Sequence, residues 1–268
     1  MRIAVVQLAY GDDESFDARV DRVSQLVADQ SGHDLVVLPE LWGATGFDYS
    51  RWNDEAQPLD GGWTRAMSAA ARSADVTLHA GSFVERLPEP GPDGNTLANT
   101  SILFASTGRV IAHYRKIHRF GFGSGEPKLM EAGTELVVVD LPLTDGATVR
   151  TGLSTCYDLR FPELYRRQLD AGAEAFVIPA AWPAARVEHW RMLGRARAVE
   201  NQSLVVQCNT AGTHIGHEMG GFSQVVAATG EVLAEASADT EEVLSVEVDL
   251  DTTARYRRDF PVLGDRRL

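Results

Sequence analysis

The chain has 268 residues, 44% of them apolar and 24% charged, a balance that suits one large soluble α/β domain with a sizeable core. Its formal net charge of −13 argues against nucleic acid and anionic membrane as partners, because both are bound through basic surface. Two cysteines exclude a disulfide framework and, with no leader-like start and no apolar run of membrane-spanning length, predict a cytoplasmic protein with free thiols.

Ile3–Leu8 reads as a buried strand, and the segment Glu14–Asp29 places Phe16, Val20, Val23 and Val27 on one helical face. The apolar run from Asp34 to Leu38 is a second strand that ends on Pro39 and Glu40, so the chain opens as a βαβ unit. A helix from about Thr64 to Ser73 leads into a strand over Val76–Val84, and Leu87–Gly94 is turn chemistry. Beyond it the pattern changes. Asn99–Ser106, the turn at Thr107-Gly108 and Arg109–Tyr114 predict a β-hairpin that runs into Lys116. The segment Phe120–Glu126 has a Gly-x-Gly-x-Gly spacing but neither leaves a clear strand nor opens a helix, so a phosphate loop is not expected there. We expect a mobile flap that carries Glu126 into place.

Thr148–Leu153 is β-branched and reads as a strand, whereas Pro162 followed by Glu163-Leu164-Tyr165 reads as a helix start. Cys156 is thereby placed on a sharp strand-to-helix turn. Strands over Ala175–Ile178 and Ser203–Cys208 flank a helix from Arg186 to Asn201, and Ala180-Ala181-Trp182-Pro183 at the first strand's end is expected to wall a pocket. A second hairpin, Phe222–Ala227 and Glu231–Glu235 around Thr229-Gly230, precedes a closing strand over Val243–Val248. Hairpins mixed with βαβ units predict a four-layer αββα sandwich, two mixed sheets with helices on the outer faces. No repeat or linker interrupts the chain, which predicts a single domain over residues 1–268. The last segment, Arg255–Leu263, mixes aromatic and basic residues as a docking tail would, or frays.

A lone cysteine after a strand is commonly inert core, and Cys208, inside Leu204–Cys208 with no charge beside it, reads that way. Cys156 differs in its setting. On such a turn a thiol gains from a helix's positive end, and nearby main-chain N–H groups can receive an oxyanion. Glu40 and Lys116 also follow apolar strands, and strand ends on one side of a sheet converge. Taken singly, Glu40 reads equally as a surface carboxylate and Lys116 as part of a solvated cluster with Arg115 and Arg119. Together they supply a general base for the Cys156 thiol and a cation for thiolate and oxyanion, which suffices for acyl transfer. His113 with His118, and His214 with His217, have no cysteine or carboxylate at ligand spacing, so neither a metal nor a cofactor is expected.

Several stretches match a known family: Leu38-Pro39-Glu40-Leu41 with Gly46-Phe47, Tyr114-Arg115-Lys116-Ile117-His118, Gly152–Leu164, His189-Trp190 and Arg195–Gln202. From near its start to about Val248 the chain resembles the nitrilase superfamily, carbon–nitrogen hydrolases with a Glu-Lys-Cys catalytic set. The resemblance implies amide hydrolysis through a Cys156 thioester, with small-molecule amide and water as partners and no cofactor. It also implies a second glutamate, matched by Glu126 with Glu131 and Glu135 as nearby competitors, an oxyanion held by Lys116 and the Tyr157 N–H, and a homodimer.

The chain departs from the family at Gly221-Phe222-Ser223-Gln224 and Ala227-Ala228-Thr229-Gly230, where many relatives have histidine before the serine and proline before the turn. These positions bear on pocket detail. The run from Trp182 through Arg186, with His189-Trp190 and Glu200-Asn201-Gln202, is most similar to the ω-amidase branch, which acts on monoamides of small dicarboxylic acids such as 2-oxoglutaramate. Trp182 then makes a flat apolar wall. Arg160 has two readings: bracing its loop through Asp158 or Glu163, favoured by their closeness in sequence, or pairing with a substrate carboxylate. Alternatives in the same superfamily are an N-carbamoyl or deaminated-glutathione-type amidohydrolase or a nitrilase. A noncatalytic binding or thiol-sensing protein would require that Glu40, Lys116 and Cys156 fail to converge.

Overall fold

A computed structural model describes residues 1–267. The first half of the chain forms β1 (Arg2–Ala9), α1 (Phe16–Ala28), β2 (Leu35–Val37), α2 (Trp52–Glu55), α3 (Gly62–Ala74), β3 (Thr77–Arg86), β4 (Leu97–Phe104), β5 (Val110–Arg115) and α4 (Glu126–Leu129). The second half forms β6 (Val138–Pro142), β7 (Thr148–Leu153), α5 (Pro162–Asp170), β8 (Ala175–Pro179), α6 (Val187–Asn201), β9 (Leu204–Cys208) and the short β10 (Thr210–Ala211), β11 (Thr213–His214) and β12 (His217–Glu218). It closes with β13 (Gln224–Val226), β14 (Val232–Glu235), β15 (Glu242–Glu247) and α7 (Asp251–Asp259).

One sheet runs β10-β1-β2-β3-β4-β5, with β15 also paired to β1; the other runs β14-β13-β9-β8-β7-β6. Pairing is parallel through β10-β1-β2-β3 in the first sheet and β9-β8-β7 in the second, and antiparallel elsewhere. Strand alternation then decides the layers. Ile3 and Val5 of β1 join Leu153, Val177, Leu204 and Val206 between the two sheets, whereas Ala4, Val6 and Leu8 face α1 and α3. On the second sheet Phe176, Ile178 and Val205 turn outward to Leu164, Tyr165, Trp190 and Ala198 of α5 and α6. The result is the predicted αββα sandwich. Cys208 lies between the sheets, its thiol directed at the Val6 and Val37 carbonyls, which is the core position its sequence implies.

Local chemistry explains the element ends. The Ser15 side chain accepts from the Ala18 N–H and starts α1, whose buried Val20, Val23 and Val27 make the predicted face. Three features lie outside the sequence expectation. Strand β6 is half-exposed and pairs only with β7, and it is absent from the predicted elements although Leu136-Val137-Val138-Val139 is apolar throughout. The segment after Val248 is neither frayed nor loose: α7 folds back, and Arg257 donates to the carbonyls of Ala173, Asn201 and Gln202. The turn after β7 also has an intermediate step, described below.

The layer assignment makes a stability contrast. Leu204→Ala, in the layer between the sheets, is expected to lower unfolding stability by roughly 3 kcal/mol. Val243→Ala, on a half-exposed face of β15, should change it by less than about 0.5 kcal/mol, both read by urea denaturation.

Candidate active site

Glu40 lies just past β2, where a bulge in β3 makes room for it. The β3–β4 register shifts between His79 and Ser82, and Gly81 there has φ of +67° with no space for a Cβ, which would stand 1.8 Å from the Pro39 carbonyl. Ser82 then donates its N–H to Pro39 O at 3.2 Å and receives the Leu41 N–H on its hydroxyl at 3.1 Å. The carboxylate is held from both sheets. Its Oε1 accepts from Lys116 Nζ at 2.7 Å and Asn99 Nδ2 at 2.8 Å, and its Oε2 from the Ala181 N–H, beyond β8, at 2.9 Å.

Lys116 follows β5, whose C-terminal end points the same way as that of β2. Its backbone is fixed on both sides, its N–H to Asn99 O and its carbonyl to the Gly133 N–H. The buried ammonium contacts Glu126 as well as Glu40, at 2.9 Å to Oε2 and 3.0 Å to Oε1. Glu126 opens the one-turn helix α4 and also takes the Phe120 N–H on Oε2. Burial works against the Lys116 charge, but Glu126 and Glu40 outweigh it and hold the ammonium well above its ordinary range. Burial raises the Glu126 carboxyl, with Lys116 opposing and the Glu40 charge adding to the rise.

Strand β7 ends at Leu153, and Cys156 adopts φ of +47°, a left-handed conformation unusual for a residue with a side chain. It starts a five-residue 3-10 turn, Cys156–Arg160, and α5 begins only at Pro162. The sharp turn is as predicted, but the helix behind the thiol is this short turn and not α5. Asp158, fully buried, fastens it. Its carboxylate accepts from the Thr155 N–H at 2.9 Å, the Tyr114 hydroxyl at 2.7 Å, the His118 N–H at 2.9 Å and His118 Nδ1 at 2.7 Å. The cysteine turn is thus bonded to the residues on either side of Lys116. Burial and then the Glu40 charge push the Cys156 thiol well above its usual range, with Lys116 opposing.

These groups open on a cleft of about 450 Å³ including its mouth, lined by Phe47, Tyr49, Tyr157, Trp182 and two arginines among others. The Arg160 guanidinium stands over the Trp182 ring at 4.6 Å, and Arg186 over Phe120 at 5.7 Å. Arg160 is not the loop brace that its sequence neighbours suggest. Asp158 is committed to other donors, and no ion pair joins Arg160 or Arg186 to a carboxylate among the described residues. Burial first, then repulsion from Arg186 against an opposing contribution from Tyr157, lowers the Arg160 pKa.

Sequence reasoning named Glu40, Lys116, Glu126, Cys156, Tyr157, Arg160 and Trp182, and all seven line one cleft. The competing Glu131 instead accepts the Asp93 and Asn95 N–H groups, a loop clip. Glu135 is outside the cleft. Asn99 and the clamp role of Asp158 were missed. Nothing in Leu97–Phe104 distinguishes Asn99 from Thr100 or Ser101, and Asp158 carries no signal of its three distant donors on Tyr114 and His118. Among the described residues, no group of three or more His, Cys, Asp or Glu side chains is arranged to hold a metal. No helix there is long and apolar enough to cross a membrane.

The αββα sandwich with a thiol, an ammonium and a carboxylate past its strand ends, and a second carboxylate on a one-turn helix, defines a carbon–nitrogen hydrolase, and the family model of that name matches residues 2–258. The chain belongs to the carbon–nitrogen hydrolase family, whose chemistry here is cleavage of a non-peptide amide C–N bond. It is 48% identical over 265 residues to the 2-oxoglutaramate amidase of Paenarthrobacter nicotinovorans, covering 99% of this chain and 89% of that one. The 2-oxoglutaramate amidase of Bacillus subtilis is 34% identical over 250 residues, 92% of this chain and 91% of that one. Among solved structures, a carbon–nitrogen hydrolase superfamily protein of Xanthomonas campestris with an arsenic adduct in its active site superposes with a TM-score of 0.88. It is 27% identical, over 100% of this chain and 97% of that one.

The Asp158 clamp has a consequence of its own. Asp158→Asn keeps the shape but replaces acceptor capacity with a donor that faces N–H groups. It is expected to lower kcat at least about 100-fold and destabilise the fold by about 2 kcal/mol or more, measured by steady-state kinetics and urea denaturation.

Proposed function

We propose that this protein hydrolyses a short ω-amide bearing a distal carboxylate, with 2-oxoglutaramate as the fitting substrate. The observation that carries the proposal is the pair of guanidiniums, Arg160 and Arg186, facing the cleft beside Cys156 without a carboxylate partner among the described residues. In a chain of net charge −13, two such cations in one apolar-walled cleft fit a small anionic group, and Arg forms paired hydrogen bonds with a carboxylate. The names of the two relatives support the same reading.

In this reading Cys156 gives its proton to Glu40 as Sγ attacks the amide carbon. Lys116 and the Tyr157 N–H hold the oxyanion, and Glu126 helps to orient the substrate and the attacking water. Glu40 then passes the proton to the amide nitrogen, the C–N bond breaks, and ammonia leaves a thioester on Cys156. Water, deprotonated by Glu40, attacks the thioester carbon; the C–S bond breaks, the carboxylate product leaves and the thiol regains its proton. Because the thiol is poorly acidic and Glu40 is in the same buried cluster, proton transfer accompanies attack instead of preceding it. The Trp182 ring walls the acyl chain between Cys156 and the arginines.

We read the protein as cytoplasmic, which its two free cysteines support. We also read it as a homodimer, supported by the exposed apolar side chains of Met192 and Val199 on α6 and of Phe260 after α7. Light scattering coupled to size exclusion is expected to give twice the chain mass, and the mass of one chain would overturn that reading.

For the substrate, ammonia release from 2-oxoglutaramate and succinamate is expected, with Cys156→Ala abolishing it. Arg160→Met and Arg186→Met should each raise KM about 10- to 100-fold with a smaller change in kcat. Turnover of a carbamoyl compound or a nitrile, with none of either ω-amide, would overturn the assignment.

A further inference from the structure

Asn99 is behind the cleft and is not among its lining residues, yet it touches both carboxylates of the site. Its Nδ2 donates to Glu40 Oε1 at 2.8 Å and to Glu126 Oε1 at 2.7 Å. Lys116 Nζ reaches the same two oxygens at 2.7 Å and 3.0 Å. The four groups form a closed ring in which two acceptors alternate with two donors. The amide can be oriented only one way, since its oxygen would otherwise face two carboxylates. That oxygen, Oδ1, is buried without a partner. A side chain held in the interior with half its polar capacity unmet is kept for what the other half does.

We propose that Asn99 is a positioning residue for the amidase reaction: its two N–H bonds hold Glu126 against Glu40 so that one ammonium serves both carboxylates and stays aimed at the substrate carbonyl. The proposal rests on the hydrolytic reading above, and it adds a residue that lies outside the cleft lining and acts through the two carboxylates. Lys116 alone would leave the two negative groups free to separate. If Glu126 swung away, the ammonium would follow one carboxylate and lose its place beside Cys156. Strand β4 supplies the rigidity. The Asn99 carbonyl takes the Lys116 N–H at 2.9 Å, so one residue fixes both ends of the lysine, its backbone directly and its ammonium through the carboxylates.

The charged and titratable groups around Glu126 are Lys116 beyond β5, Glu40 beyond β2, Cys156 on the 3-10 turn and Tyr49 of the loop before α2. Among these the Asn99 donor bond favours the ionised form of Glu126. Removing it raises the proton affinity of that carboxyl. The acid limb of activity therefore moves to higher pH.

Asn99→Ala and the apolar, similarly shaped Asn99→Leu are compared with the parent in two assays over a pH series. One is hydrolysis of 2-oxoglutaramate. The other is alkylation of Cys156 by iodoacetamide followed by mass spectrometry, which needs no substrate and has buried Cys208 as internal control. The expected result is a kcat lower by about 10- to 100-fold with KM within about threefold, and an acid limb displaced upward by about one pH unit in both assays, in variants that still fold by circular dichroism. Profiles superimposable on the parent's, or a loss confined to melting temperature, would overturn the role of Asn99. Failure of the parent protein to hydrolyse the ω-amide while the alkylation profiles of parent and variants still differ would overturn the substrate and leave the positioning role standing.

Discussion

The constraint that governs this molecule is the burial of two carboxylates and one ammonium in mutual contact. Each ion taken from water carries a penalty of several kcal/mol, recovered only if every lone pair and proton finds a partner. Here all four carboxylate oxygens do. Glu40 uses Lys116, Asn99 and the Ala181 N–H; Glu126 uses Lys116, Asn99 and the Phe120 N–H. These donors come from both sheets and the glycine-rich loop, so the cluster can exist only when the two sheets are correctly stacked. The αββα packing and the site are therefore one structural problem. The core between the sheets fixes their spacing, and the ionic cluster fixes which strand ends meet.

Backbone strain collects around the same place. Leu41, Thr45 and Cys156 all have positive φ, at 46°, 65° and 47°, and each belongs to a segment that lines or supports the cleft. Such conformations persist only when surrounding bonds over-determine them. Buried Arg19 does this for the loop after Glu40, donating to Trp42 O, Gly43 O and Thr45 Oγ1. Asp158 does it for the cysteine turn. Both are charged residues in the interior, and each ties a strained segment to groups elsewhere in the chain. Their energy is spent on geometry around the thiol, since neither lies in the cleft lining.

What could be read from sequence follows from how local each feature is. The strands of β1, β2, β8 and β9 are apolar runs buried on both faces, and their composition marks them. Glu40, Lys116 and Cys156 stand out because each follows a strand. Strand β6 belongs to an equally apolar run, Leu136-Val137-Val138-Val139, and was missed although its composition marks it. Asn99, Asp158 and the bulge at Gly81 have value chiefly through partners 27 to 59 positions away, which a single sequence does not bring together. Arg160 was misread as a brace for the same reason. Nearness along the chain to Asp158 and Glu163 says nothing once Asp158 is engaged by Tyr114 and His118.

The electrostatic plan of the cleft divides it in two. At its base are Glu40, Glu126 and Lys116, where burial and then the Glu40 charge raise the proton affinity of the Cys156 thiol, with Lys116 opposing. At its side Arg160 and Arg186 repel one another, and burial already disfavours the Arg160 charge. An anion between the two guanidiniums would relieve that repulsion, while an anion at the base would meet two carboxylates. A substrate with a neutral amide at one end and a carboxylate at the other is therefore oriented by the field before any contact is made. The low dielectric of the aromatic walls, Phe47, Tyr157 and Trp182, strengthens both preferences. Orientation is thus set by where the protein leaves positive charge unpaired, and the chemistry by where it pairs negative charge most completely.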